Sequence, residues 1–382
     1  MIANFGQDSA FAGAQTDQNG GNTDSNGEGD FYYTPPTGFL ALCTKNLRLK
    51  IPPGTQPKKN YNTVLYTGGS GAQTRSVGFA PDMVWIKNRG QSQQWSQWDS
   101  VRGVNKLLSS DRTNAESSET NMFNAFTNDG FTHGSDSLVA ASNPYGSFSW
   151  KGGGAATNNT AGDITSSVSA NPDAGISIVT YTGNGSNAQT VGHGLGAMPS
   201  AMIVRPRNYA DHWFVYHAYV GSSKYLYLDG NDAVFTSNIA WSNTDPTSSV
   251  FTIGTSSPAT GGGQTYNYIA YCFREIPGFS RFGKWTGTGS ADAGFVYFGF
   301  RPAWVLIKRL NQAEDWYVVN DKSAPYNETD AFLKQSDVIA EASGLNLDLV
   351  SNGLNFKSTE MNVYNVDYIY MAFAAYPFTH TN

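Results

Sequence analysis

One block ending in an apolar strand occurs three times in this chain, and it limits the possible folds more than any other feature. The first copy reads Gly78-Phe79-Ala80-Pro81-Asp82-Met83-Val84-Trp85-Ile86-Lys87-Asn88-Arg89. The second reads Gly196-Ala197-Met198-Pro199-Ser200-Ala201-Met202-Ile203-Val204-Arg205-Pro206-Arg207. The third reads Gly299-Phe300-Arg301-Pro302-Ala303-Trp304-Val305-Leu306-Ile307-Lys308-Arg309. Their prolines stand 118 and 103 residues apart, so the repeating unit is a small domain rather than a solenoid turn.

The flanks repeat in the same order. Upstream lie Tyr66-Thr67-Gly68, Tyr181-Thr182-Gly183 and Trp285-Thr286-Gly287. Downstream, a turn leads to an aromatic strand: Trp95 to Trp98, Trp213 to Tyr216, and Trp316 to Val319. Each copy closes on an alternating aromatic strand, at Phe148-Ser149-Trp150, Tyr268 to Phe273 and Tyr368 to Phe373.

These blocks are rich in β-branched and large apolar residues and show no helical period. Apolar groups on both faces of Met83 to Ile86 mean burial on both sides, or one side covered by a neighbouring repeat. Each Pro stands before its strand, where a missing N–H breaks no ladder. Asn128-Asp129-Gly130 and Asn352-Gly353 are hairpin signals. The expected fold class is all-β, with tandem antiparallel β-sandwich units behind an extended N-terminal arm. The boundaries are an arm over 1–60, repeat one over 61–151, a linker over 152–175, repeat two over 176–280 and repeat three over 281–382. A short helix is expected near Asp99 to Leu108 or Ala331 to Ser336. Within the arm, Gly13 to Asp30 reads as a flexible loop. A strand at Phe39 to Leu42 would need the repeats or another chain to pair with.

Composition narrows the function. Charged residues are 14% of the 382, and aromatics also reach 14%. That excludes a charged disordered tail and a Glu/Lys-rich coiled coil. A formal net charge of −6 without a basic run argues against nucleic acid as a partner. No apolar run approaches the roughly 20 residues of a membrane helix, and the first residues lack the features of a secretory signal. No membrane insertion is expected. Cys43 and Cys272 lie among apolar residues and read as buried free thiols, in keeping with folding in a reducing cytoplasm, although one disulfide stays open.

Candidate chemistry is sparse, and no catalytic residue is assigned. Asp24, Asn26 and Asp30 alternate around a Gly turn, like the first half of a calcium loop. The closing Glu and flanking helices of an EF-hand are missing, so a solvated loop is the simpler reading. Calcium is the one cofactor this pattern suggests. Gly192-His193-Gly194-Leu195-Gly196 precedes a strand rather than a helix, which argues against a dinucleotide loop. Paired carboxylates for glycoside hydrolysis would draw on Asp99, Asp211, Glu275, Glu314, Asp315 and Asp321. Lys87, Arg89, Arg205, Arg207, Lys308 and Arg309 recur opposite several of these, so charge pairs across one hairpin are the simpler account. Tyr209, Asp211, His212 and Trp213 are candidates for glycan contact, because rings stack on sugar faces and short polar groups take hydroxyls. An aromatic core explains most such rings equally well.

A family resemblance rests on copy one. Asn62 to Gly68, Val77 to Arg89 and Trp98-Asp99-Ser100-Val101-Arg102-Gly103 resemble a domain of unknown chemistry common in virion proteins of tailed phages, especially marine ones. Asn128 to Phe131 and Phe148 to Lys151 continue that pattern. Asn4 to Gln7, Gly29 to Tyr33 and Pro35 to Leu47 are similar to the C-terminal end of the SPRY-like (concanavalin-type) module that often precedes it. Together these cover residues 1–151; copies two and three enter through the internal repeat. Most of the SPRY-like module is missing. The resemblance implies a non-enzymatic virion protein, such as a tail fibre or appendage or a capsid-surface (decoration) protein. It would act in assembly and host attachment, and be made in the host cytoplasm. Its expected partners are other virion proteins through the arm, further copies of itself as a homo-oligomer, and a host surface glycan. Carbohydrate-binding receptor recognition and polysaccharide depolymerisation are the alternatives.

Overall fold

The computed structural model describes residues 21–41, 56–255, 260–261, 265–291 and 294–377. Residues 52–378 form one body, and 1–51 with 379–382 form a second unit. The chain is all-β.

Each copy builds a framework sheet from the same four strands. In copy one these are Tyr61–Thr67, Met83–Asn88, Ser96–Asp99 and Pro144–Trp150. In copy two they are Ile176–Thr182, Ala201–Pro206, Phe214–His217 and Asn267–Phe273. In copy three they are Ser280–Thr286, Phe300–Arg309, Tyr317–Asn320 and Asp367–Pro377. All pairs are antiparallel, and the spatial order is first, last, second, third in every copy. The registers coincide. Met83 lies opposite Asp99 and Trp150, Ala201 opposite His217 and Phe273, and Trp304 opposite Asn320 and Phe373. Equivalent residues can therefore be named in threes.

Side chains alternate across a strand, and this sorts the apolar residues into two kinds of core. Met83 and Trp85, Ala201 and Ile203, and Trp304 and Leu306 face one central core that all three copies share. Val84 and Ile86, Met202 and Val204, and Val305 and Ile307 face a separate core in each copy. A small second sheet accompanies each framework. It comprises Gln73–Ser76, Phe123–Thr127 and Gly130–His133 in copy one, and Thr190–Gly192 with Val250–Thr252 in copy two. Copy three uses Gly294–Tyr297, Leu347–Val350 and Gly353–Phe356. Strands apolar on both faces are thus covered on one face by the neighbouring copies. Every tryptophan except Trp285 is fully buried. At the centre, Trp150 stands edge-on to Trp304, with ring centroids 5.6 Å apart, and Tyr61 stacks on Phe373 at 5.5 Å.

Three local expectations need correction. Residues 152–175 are more than a linker: Thr157–Asn159 and Ser166–Asn171 extend the copy-two framework outward from Ile176–Thr182. Pairing there covers an edge that would otherwise expose unpaired backbone groups. No helix forms near residues 99–108 or 331–336, because short strands at Lys106–Leu107 and Leu333–Lys334 occupy those segments. The helical turns are Pro57–Asn60 and Ser137–Ala140, the latter capped by the Asp136 carboxylate accepting from Leu138 N–H at 2.8 Å. Residues 39–41 form no strand, and Leu42 lies outside the described residues.

Candidate functional site

The central-facing row of the second framework strand runs through Met83 and Trp85 to Lys87. Its counterparts end in Arg205 and Lys308. All three cations are fully buried. A buried charge is costly unless its hydrogens are satisfied. Each finds at least one partner on another copy. Lys87 Nζ donates to the Val338 carbonyl of copy three at 2.7 Å and to Gln93 of its own copy. Arg205 donates to four carbonyls of copy one: Ser109 at 3.3 Å, Arg112 at 3.0 Å, Thr113 at 3.1 Å and Asn114 at 2.5 Å. Lys308 Nζ donates to the Asn231 carbonyl of copy two at 3.0 Å and to Glu314 of its own copy. Burial pulls Lys87 and Lys308 down to about 8 and Arg205 down to about 10.

The same directions recur in the indoles. Trp95 donates to Lys334 of copy three at 2.8 Å, Trp213 to Ser109 of copy one at 2.8 Å, and Trp316 to Tyr227 of copy two at 2.7 Å. A third set lies two residues beyond the cations. The carbonyls of Arg89, Arg207 and Leu310 accept from the N–H groups of Glu341, Glu116 and Val234, at 2.9, 2.7 and 2.8 Å. In two junctions side-chain ion pairs join them, Arg89–Glu341 at 2.6 Å and Arg207–Glu116 at 2.9 Å. In the third, Leu310 and Val234 are apolar and pack against the central core. Copy one holds copy three, copy three holds copy two, and copy two holds copy one, so the arrangement closes.

This replaces most of the expected charge pairs across single hairpins. Register places Asp99 opposite Met83, not opposite a cation. Asp99 instead binds Arg102 at 2.5 Å, with both side chains fully buried, and accepts from Tyr271 of copy two at 2.8 Å. Arg102 also reaches Glu116 at 3.1 Å. Burial works against ionisation of Glu116, but hydrogen bonds from Arg207 and the charge of Arg102 hold its carboxyl below the usual range. Asp315 pairs with Lys334 at 2.6 Å and Asp321 with Lys322 at 3.4 Å. Arg309–Glu314, at 3.2 Å, stays within copy three.

The four candidate glycan residues separate. Trp213 is a core residue: fully buried, its indole bonded to Ser109 and its ring under the Arg205 guanidinium. It stands just before the strand Phe214–His217 with the same parity as Val215, facing the central core, so it cannot meet a sugar. Tyr209 is 44% exposed and stacks on Tyr266 with centroids 4.7 Å apart. His212 lies over Tyr227 at 3.9 Å and bonds the Asp229 carboxylate at 2.9 Å, which raises its pKa above the ordinary histidine value. Asp211 caps the N–H of His212 at 2.8 Å, and burial raises its carboxyl. Tyr209, Asp211 and His212 thus remain on one loop with an aromatic pair beside them.

Asp24 is buried, and its carboxylate accepts backbone N–H groups from Asn26, Glu28 and Ala41 at 2.8, 3.0 and 2.8 Å. Asp30 accepts from Gly21 N–H at 3.0 Å. Among the described residues no group of three His, Cys, Asp or Glu side chains is placed to hold a metal. The Gly192–Gly196 segment leads into the strand Ala201–Pro206, and His193 bonds the Thr247 carbonyl at 3.2 Å. Cys272 is a buried free thiol, pushed up by burial; Cys43 lies outside the described residues. No helix among the described residues is long and apolar enough to cross a membrane.

A family model described as Domain of unknown function (DUF7483) matches residues 56–377. The chain belongs to the DUF7483 family. The matched segment spans all three copies and stops close to the limits of the interlocked body, so the DUF7483 unit is the closed set of three rather than one repeat. No curated protein and no solved structure matches the chain.

The junction contacts were the residues that sequence reasoning missed. Their signal was available. Lys87, Arg205 and Lys308 share one position of the repeat, with the parity of the most apolar row.

Proposed function

We propose that this chain is a non-enzymatic structural component of a tailed-phage virion, acting in assembly and in contact with the host surface. The resemblance of the copy-one block and of the N-terminal segment to phage virion proteins supports the setting. The observation that carries the structural half is the closed set of junctions. Three buried cations and three indoles are committed to backbone carbonyls of neighbouring copies, which suits a rigid load-carrying body better than a mobile catalytic cleft. The arm over 1–60 docks on other virion proteins in this reading, and further copies of the chain assemble beside it. Exposed rings on the body, among them Tyr219, Phe295, Tyr297, Tyr326 and Tyr364, supply contact area.

Peptide mass spectrometry and antibody labelling of purified particles test the setting. The protein is expected in intact virions at a fixed copy number. Its recovery only from the lysate would end the proposal. Removal of residues 1–51 is expected to abolish incorporation while leaving the body, which starts at residue 52, folded.

A second reading, carbohydrate-binding receptor recognition, is favoured by the exposed Tyr209–Tyr266 stack beside Asp211 and His212. Glycan-array binding lost in Tyr209→Ala would support it. Release of reducing sugar from capsule or lipopolysaccharide would instead favour a depolymerase.

A further inference from the structure

Copy one has a cavity of about 250 Å³ where copy two is filled with aromatic rings. The two regions can be superposed through their registers. Leu107 pairs with Ser117 in copy one, and Tyr225 pairs with Phe235 in copy two. The connection between the paired residues has the same length in both, and Ser109 corresponds to Tyr227. In copy two, Phe235 stacks on Tyr225 at 5.2 Å and lies 5.0 Å from Tyr227. In copy one the equivalents are Leu107, Ser109 and Ser117, and all three line the cavity. Three rings have been removed without shortening the loop.

The wall cannot close over the gap. Arg205 of copy two holds the carbonyls of Ser109, Arg112, Thr113 and Asn114 from outside. The cavity is therefore built open rather than left by loose packing. Its lining has two characters. Leu107, Met122 and Leu138 contribute an aliphatic part of the lining, while Gln94, Arg112 and Glu119 contribute polar residues.

We propose that this cavity binds a single pyranose ring. The ring's C–H face would lie on the aliphatic part, and its hydroxyls would meet the amide, guanidinium, carboxylate and Ser117 hydroxyl groups, which offer both donors and acceptors. This deepens the surface-contact half of the proposed function but rests on the comparison of copies, not on the virion setting. Its test uses the purified full chain, so a failure here is distinct from absence in particles.

The chain is titrated with the methyl glycosides of glucose, galactose, N-acetylglucosamine and glucuronic acid, followed by NMR. At least one is expected to saturate, with Kd on the order of millimolar. Ser117→Phe restores one ring of copy two and is expected to weaken binding at least about tenfold, with an unchanged melting temperature. If that variant does not fold, the polar pair Gln94→Ala and Arg112→Ala is expected to give the same loss. No saturable binding of any of the four overturns the proposal. Binding that survives both sets of variants does so too. Binding of N-acetyl-tyrosine amide with no sugar bound would overturn it in favour of a peptide side chain.

Discussion

The indole N–H of Trp213 donates to the backbone carbonyl of Ser109 across the boundary between copies two and one, at 2.8 Å. Trp95 and Trp316 make the same bond across the other two boundaries. A single bond of this kind contributes about 1 kcal/mol. Trp213→Phe keeps most of the apolar area and is expected to cost about 1–2 kcal/mol in urea-induced unfolding. A cost indistinguishable from zero would mean the contact carries no net stability.

Arg205 is the most heavily committed of the junction cations. Arg205→Ala leaves four carbonyls of the 109–114 segment without their donor, and a loss of roughly 3 kcal/mol or more is expected. Arg205→Lys installs the residue that copies one and three use and should cost less. Equal losses for Ala and Lys in chemical denaturation would show that the charge, rather than the forked geometry, is dispensable.

Because one central core serves all three copies, unfolding of residues 56–377 should be a single calorimetric transition. A fragment of residues 176–280 would expose Ile203, Trp213, Tyr271 and Phe273 and is expected not to fold alone. A dispersed amide spectrum from that fragment would contradict a shared core.

His217 is buried and its Nε2–H donates to the Tyr370 carbonyl, 3.2 Å away, and burial pulls its pKa down to about 4. A depressed folded value means stability that is full above the ordinary value near 6.5 and lost as pH falls toward 4. Asp111 works in the opposite sense. Burial raises it to about 6, so its contribution is full below the ordinary carboxylate value and lost as pH rises through 6. The His217 share is isolated by His217→Asn, since Asn320 occupies the equivalent site of copy three. The variant should lose about 1 kcal/mol at pH 7. Relative to wild type it should then gain up to about 1.4 kcal/mol per pH unit between 6.5 and 4. Parallel stability–pH curves for the two proteins would rule out this role.

The Leu310–Val234 junction lacks the ion pair found at Arg89–Glu341 and Arg207–Glu116. Leu310→Arg with Val234→Glu would install one. The double variant should lie within about 1 kcal/mol of wild type, because a mostly buried pair loses in hydration about what it gains in attraction beyond the apolar contact it replaces. A thermal melt would reveal a larger change in either direction.

The repeat and its strands were legible because period-two patterning and turn chemistry are local. Met83 to Ile86 reads as a doubly buried strand without reference to anything distant. The destination of Lys87 is not local. It depends on Val338, 251 residues away, and no pattern within one copy encodes that neighbour. Trp213 shows the same limit from the other side: an aromatic beside Asp211 and His212 looks like a sugar platform until strand parity turns it inward. The hairpin at 157–171 was hidden by its Gly, Asn and Ser composition, which reads as a linker although it covers a sheet edge.

Tyr61 opens the first framework strand of copy one, and Phe373 sits near the close of the last strand of copy three; their rings are stacked. The first and last framework strands therefore meet inside the shared core, and the body is clasped by its own two ends. A force that drew these two strands apart would fall directly on the Tyr61–Phe373 contact.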